Sequence, residues 1–292
     1  MSRSLLKALI ATVMFASAPA CIRLVAMDSY ALGVWRLSLA AVGMTILLRM
    51  QGRTIPTLAA QVRRDWPVLL AVGLFFGLHW LTFFQSIKLA SASIGALAFS
   101  TCGVQIPLLG WVMGLGRPSA AAMAGVALAM GGSLLCLPES KPGDNQALGM
   151  AIGILSGTFY AVLPVLHQRH ARLDNELRTW AQFALALPVF LVTAPGADWT
   201  LPLRDLWLVL YLGVAVNLIG HYLWVQISTE LSLPAVSALG YAQLPTSLAL
   251  NALVIGDAMT VEMLLGATLI VAGNVLALQP RKPVAEDLPQ GQ

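Results

Sequence analysis

Charge is what this sequence has least of. Only 10% of its 292 residues are Asp, Glu, Lys or Arg, while 58% are hydrophobic and the mean hydropathy is +0.78. A soluble domain carries roughly 25% charged residues. So few charges cannot cover a globule of this length, and most of its surface must face lipid. Acidic residues are missing from the middle of every long apolar run. Asp28, Glu139, Asp198, Glu230, Asp257 and Glu262 all sit at or near run ends. That argues against a membrane-embedded carboxylate for cations or protons. Cysteine is scarce too. Cys21, Cys102 and Cys136 lie in separate apolar segments, with neither metal-ligand spacing nor a disulfide framework. They read as small packing residues. No glycine-rich phosphate loop is present, which argues against direct use of ATP. No cluster of carboxylates, His or Cys suggests a membrane enzyme. No catalytic residue, metal or cofactor is therefore expected. The net charge of +4 does not point to nucleic acid, because the positions of the positive residues matter more than their sum.

What is present is a series of apolar runs. A span needs roughly 20 mostly apolar residues to cross about 30 Å of hydrocarbon. Ten stretches qualify: Leu5–Ala26, Ser29–Met50, Trp66–Lys88, Ser91–Leu115, Ser119–Leu137, Ala147–Gln168, Glu176–Pro195, Leu206–Ser228, Leu233–Ile255 and Met259–Gln279. The first could be mistaken for a cleaved leader, since Ala18-Pro19-Ala20 follows its apolar run. Pro19 sits badly for cleavage, and the span completes a repeat described below. Lys and Arg set orientation through their excess on the cytoplasmic side. With the N-terminus inside, Arg3, Lys7, Arg49, Arg53, Arg63, Arg64, Arg117, Arg169, Arg172, Arg178, Arg281 and Lys282 all lie inside. Only Lys88, Lys141 and Arg204 fall in outside loops. Both termini are then cytoplasmic, which needs an even number of spans. The expected setting is a bacterial-type cytoplasmic (inner) membrane. The tail 280–292 is Pro-rich and polar, and reads as disordered. Residues 139–146 form an external linker that divides the chain almost in half.

The halves resemble each other. Shifted by about 142 residues, His79 falls on His221, Trp80 on Tyr222, Phe99 on Tyr241 and Gly131 on Gly273. Leu89–Leu97 falls on Leu231–Leu239 in the same register. With five spans in each half, 1–138 and 147–279, the second half enters from the opposite side. The fold class expected is an all-α integral membrane protein of ten helices in two inverted repeats, with the solute site at the repeat interface. The two halves, Val34-Trp35-Arg36-Leu37 early in the second span, and the small-residue ends Gly125–Leu137 and Gly266–Leu278 carry a family likeness. The chain resembles the drug/metabolite transporter superfamily, in particular its EamA-type ten-helix members. The resemblance covers roughly Leu5–Gln279. It implies a secondary transporter that exports a small metabolite by alternating access, and it looks most like amino-acid exporters of the aromatic type. Small multidrug exporters of that superfamily use an embedded carboxylate, which this chain lacks.

Polar residues deep in a span are functional candidates. Phe76, His79, Phe83 and Ser86 share one helical face, as do Asn217, His221, Trp224 and Ser228. These faces are equivalent under the repeat and are expected across a shared central cavity. The expected substrate-binding set is His79, Trp80, Phe83, Phe99, Tyr160, Asn217, His221, Trp224, Tyr241 and Gln243. Aromatic walls suit an aromatic or apolar side chain, while His, Gln and Asn can bind the ends of a zwitterion. The blander reading is that each His pins two helices and each ring fills a helix interface. Pro19 and Pro164 each remove a helix hydrogen bond and are expected hinges. Arg36 reads as an anchor near the outer end of the second span rather than as a carboxylate binder. The glycines of the fifth and tenth spans are read as intramolecular packing, with a monomer favoured over a dimer. His79 and His221 are the remaining proton carriers, and facilitated, gradient-driven transport is favoured. The expected partners are membrane lipids and one small-molecule substrate. A nucleoside, a lipid-like metabolite, or a structural or receptor role without transport are the alternatives.

Overall fold

The computed structural model describes residues 3–135, 145–256 and 260–277. Cys136, Lys141, Arg281, Lys282, the tail and most of the expected linker lie outside the described residues. Every regular element described is helical. In order they are α1 (Arg3–Leu24), α2 (Ser29–Met50), α3 (Ile55–Leu89), α4 (Ala92–Ser100), α5 (Cys102–Val112), α6 (Ala120–Leu135), α7 (Gln146–Arg169), α8 (Asn175–Ala184) and α9 (Leu187–Thr193). After a short 3-10 turn at Ala194–Gly196 come α10 (Leu203–Leu210), a π-helical stretch Tyr211–His221, α11 (Tyr222–Glu230), α12 (Leu233–Ile255) and α13 (Val261–Ala277). Among the described residues seven helices are long and apolar enough to cross a membrane, counting Ala92–Val112 and Leu203–Glu230 as one each. Two apolar helices are shorter, Ala120–Leu135 and Val261–Gly273.

Three expected spans differ in outline, and local chemistry explains each. The stretch 176–195 is broken into α8 and α9. Pro188 has no N–H to offer the Ala184 carbonyl, and its ring crowds that carbonyl, so α8 stops there. The break packs on two glycines of α3. A Cβ on Gly73 would lie 2.4 Å from Leu185 Cβ, and one on Gly77 would lie 2.8 Å from Val189 Cγ2. The third span starts earlier than Trp66. Thr54 caps it by accepting from the Thr57 N–H at 3.3 Å, and its first turns run to a kink at Asp65 (φ −111°, ψ 15°). Pro67 follows and cannot bond the Arg63 carbonyl. The fourth span is interrupted at Thr101, between α4 and α5. By contrast, α1 and α7 run without a break through Pro19 and Pro164.

The packing has a pattern that survives exchanging the halves. α1 lies on α12 and on the π stretch with α11, while α7 lies on α4–α5 and on α3. α2 packs on the π stretch, and α8 and α9 pack on α3. α6 and α13 pair with each other through glycine. A Cβ on Gly132 would lie 2.5 Å from the Gly266 carbonyl oxygen, and one on Gly273 would lie 2.5 Å from that of Gly125. Gly131 differs from its expected packing role, since a Cβ there meets nothing within 4 Å. Arg178 also differs from a loop charge. It is 1% exposed and donates from Nη1 to the His167 carbonyl at 2.6 Å.

Candidate functional site

The centre of the bundle is an aromatic box around two histidines. His79 on α3 and His221 at the end of the π stretch are 4% and 6% exposed. Phe76 stands between them, its ring centroid 6.1 Å from His79 and 4.9 Å from His221. His79 also meets Phe99 at 5.1 Å, stacked, and Tyr160 at 4.9 Å. His221 meets Phe15 at 4.5 Å and Trp80 at 5.8 Å.

Hydrogen bonds assign the two rings different tautomers. Ser156 Oγ donates to the His79 carbonyl at 2.9 Å and lies 2.7 Å from His79 Nδ1. A hydroxyl has one proton to give, so Nδ1 is the donor and Nε2 is bare. Gln182 Nε2 donates to His221 Nδ1 at 3.3 Å, which leaves that ring's proton on Nε2. Gln182 Oε1 in turn accepts from His167 Nε2 at 3.3 Å. A chain of polar groups thus runs from His221 through α8 to the buried end of α7.

Arg36 lies beside this box and is 2% exposed. Its Nη2 donates to Asn217 Oδ1 at 2.7 Å, and Asn217 Nδ2 donates back to the Arg36 carbonyl at 3.3 Å. Its Cζ is 4.2 Å from the Trp80 ring centre and 4.9 Å from that of Phe84. The pair ties α2 to the π stretch. α2 begins at Ser29, where the second span was expected to start, and Arg36 lies about two turns inside it.

One cavity opens in this region. The space open to the centre of a water is about 40 Å³, room for about three waters. Of the expected binding residues, His79, Trp80, Phe83, Phe99, Tyr160, His221 and Gln243 line it. Phe15, Phe84 and Arg36 line it as well, and were not in the expected set. Phe15 had a visible signal, because Pro19 lies four residues on and frees its carbonyl. Pro164 does the same for Tyr160. Three expected residues lie elsewhere. Asn217 is used up on Arg36. Trp224 packs edge-on against Phe15 at 5.6 Å, its Nε1 without a partner. Tyr241 points away into a cluster with Ala96, Leu97 and Val126, its ring where a Gly103 Cβ would be. Tyr241 and Gln243 are two apart on one helix, about 200° around the axis, and cannot both face the cavity. No acidic side chain lines the cavity, and no group of His, Cys, Asp or Glu among the described residues could hold a metal ion.

Comparison with curated proteins finds no significant match. A solved crystal structure superimposes with a TM-score of 0.77 at 20% identity, covering 95% of this chain and 98% of that one. That likeness concerns the fold alone. The sequence profile of the EamA-like transporter family matches twice, over residues 2–137 and 147–279. With nearly its whole length matched, the chain belongs to the EamA-like transporter family, and it is a multi-pass membrane protein that carries small solutes.

Proposed function

We propose that this protein exports neutral or aromatic amino acids by alternating access at the central cavity. The observation that carries this reading is the cavity wall. It joins Phe83, Phe99, Tyr160 and Trp80 to neutral polar groups, and it is built from both halves of the chain. Rings of this kind offer stacking surfaces to an aromatic side chain. His79, His221 and Gln243 offer hydrogen bonds to its polar end. At about 40 Å³ the cavity is too small for an amino acid, so transport requires it to widen. The π stretch and the prolines of α1 and α7 are the natural places to yield.

Ten spans in two inverted repeats, 1–138 and 147–279, form the scaffold of this proposal. The exchange pattern of helix contacts supports it, as does the double match of the family profile. Residues 139–146 are the external linker and 280–292 the cytoplasmic tail. Both termini face the cytoplasm of a bacterial-type inner membrane. The protein works as a monomer, because Gly132 of α6 and Gly273 of α13 serve contacts within the chain. Transport is facilitated and gradient-driven, and it needs no cofactor.

The test is flux in proteoliposomes, with a panel of labelled amino acids and with or without a proton gradient. Saturable flux without the gradient, reduced in His79→Ala and His221→Ala, is expected. No amino-acid flux under either condition sinks the substrate class and directs the search to nucleosides or lipid-like metabolites.

A further inference from the structure

Arg36 is the one charged side chain on the wall of the central cavity, and its hydrogen bonding is incomplete. A guanidinium stays protonated and presents five N–H donors. One, on Nη2, goes to Asn217. Nε and Nη1 are buried with no partner. The ion pairs among the described residues are Lys7–Glu230, Arg53–Asp174, Arg64–Asp65 and Arg204–Asp205. None neutralises Arg36. Buried polar groups are otherwise almost always satisfied, and a buried charge is ordinarily paired. Trp80 and Phe84 attract the cation but take up no N–H.

Geometry restricts what could complete it. The two rings sit against the guanidinium, so a ligand reaches it along its free edge. Nη2 keeps a second N–H beside one of the free nitrogens. Two parallel donors on one edge match the two oxygens of a planar oxyanion. The remaining wall is mostly aromatic, with Gln243, His79 and His221 as neutral polar points and no acid to meet an ammonium group.

We propose that Arg36 binds the carboxylate of the transported solute, holding both oxygens while the rest of the solute lies against the aromatic wall. This rests on the reading of the central cavity as the transport site, and it narrows the solutes to carboxylates. It also ranks their features. The carboxylate is recognised by a fixed charge, and the amine only by neutral groups. Loss of the amine is therefore tolerated, and loss of the carboxylate is not.

The test is equilibrium binding to the purified full chain in lipid nanodiscs with four probes: phenylalanine, 3-phenylpropionate, phenylalaninamide and phenethylamine. Both carboxylates are expected to bind at least about tenfold more tightly than the amide and the amine, the size of a charge-assisted hydrogen bond. In Arg36→Gln that ratio falls to about one, with the amide's affinity within about twofold of wild type. Arg36→Lys, which keeps charge but loses the fork, falls between. Asn217→Asp places a competing carboxylate beside Nη2 and also removes the preference. If Arg36→Gln does not fold, the wild-type ratio and Asn217→Asp decide. An amide bound as tightly as phenylalanine, or a preference that persists in Arg36→Gln, overturns the proposal and leaves the amino-acid reading standing. Arg36-dependent binding of 3-phenylpropionate without binding of phenylalanine upholds the proposal and overturns the amino-acid reading. Failure of all four probes overturns both.

Discussion

The two histidines stand at equivalent places in the two halves, yet their surroundings are built differently. On the His79 side, α7 presents Gly149, Gly153 and Gly157, four residues apart and so on one face. Cβ atoms there would lie 2.6 Å from Ala90 Cβ, 2.5 Å from Ala98 Cβ and 3.1 Å from the Phe99 carbonyl oxygen. The backbone of α7 therefore touches α3 and α4, and Ser156 reaches His79 with two short bonds. On the His221 side, α1 has no glycine and meets the π stretch with Phe15. A Cβ on Gly220 would lie 3.0 Å from a ring carbon of Phe15, a side-chain rather than a backbone contact. One histidine is held by backbone contact, the other by a ring, a 3.3 Å amide bond and a π-helical segment that Asn217 ties to Arg36. Close backbone packing resists rearrangement, whereas rings and π turns accommodate it. The asymmetry leaves the His221 side the less rigidly packed of the two.

The sharpest way to break this comparison is to fill the glycine ridge. Gly153→Val should cost about 3 kcal/mol or more of stability, seen as loss of monodisperse protein or a large fall in Tm. Gly220→Ala should cost less than about 1 kcal/mol, and a comparable loss in both variants would remove the distinction. Gln182→Met keeps the volume but strands His221 Nδ1 and His167 Nε2. A loss of about 2 kcal/mol is expected, with thermal unfolding in nanodiscs as the readout. Ser156→Ala removes a neutral hydroxyl from the rigid side, and about 1 kcal/mol should follow. The smallest effect belongs to Lys7, whose ammonium lies 2.8 Å from the Glu230 carboxylate and joins α1 to α11. As an exposed ion pair it adds at most about 1 kcal/mol. If the α1 side moves, Lys7→Ala should still change the flux rate while leaving Tm nearly unmoved.

Much of the centre was legible in the sequence. His79 and Phe83, spaced four apart on an apolar run, could only share a face. The register that laid His221 on His79 brought the second histidine to the same box. The same register failed for Tyr241, which it equated with Phe99. Helix rotation is set by packing, and the small Gly103 draws the Tyr241 ring to the far side of α12. The start of the span that carries Arg36 was legible, but its partner Asn217 was not, because a sequence does not give the neighbours that receive a side chain. The break between α8 and α9 was written in Pro188, yet proline is tolerated often enough inside spans that its presence alone did not separate a kink from an interruption. The π stretch left no mark, since nothing in Tyr211–His221 distinguishes a π from an α turn before tertiary contacts form.

The lone guanidinium has an electrical consequence. A charge that crosses the whole membrane field at 100 mV gains or loses about 2.3 kcal/mol. Arg36 rides on α2 and is tied by Asn217 to the π stretch, so any displacement of that pair along the membrane normal is work done with or against the voltage. A shift through a tenth of the field already amounts to about 0.2 kcal/mol. A solute carboxylate seated on Arg36 cancels the charge locally, so the empty and the loaded carrier respond to voltage differently. In the alternating-access cycle proposed above, the balance between inward-facing and outward-facing forms would then be set partly by the membrane potential.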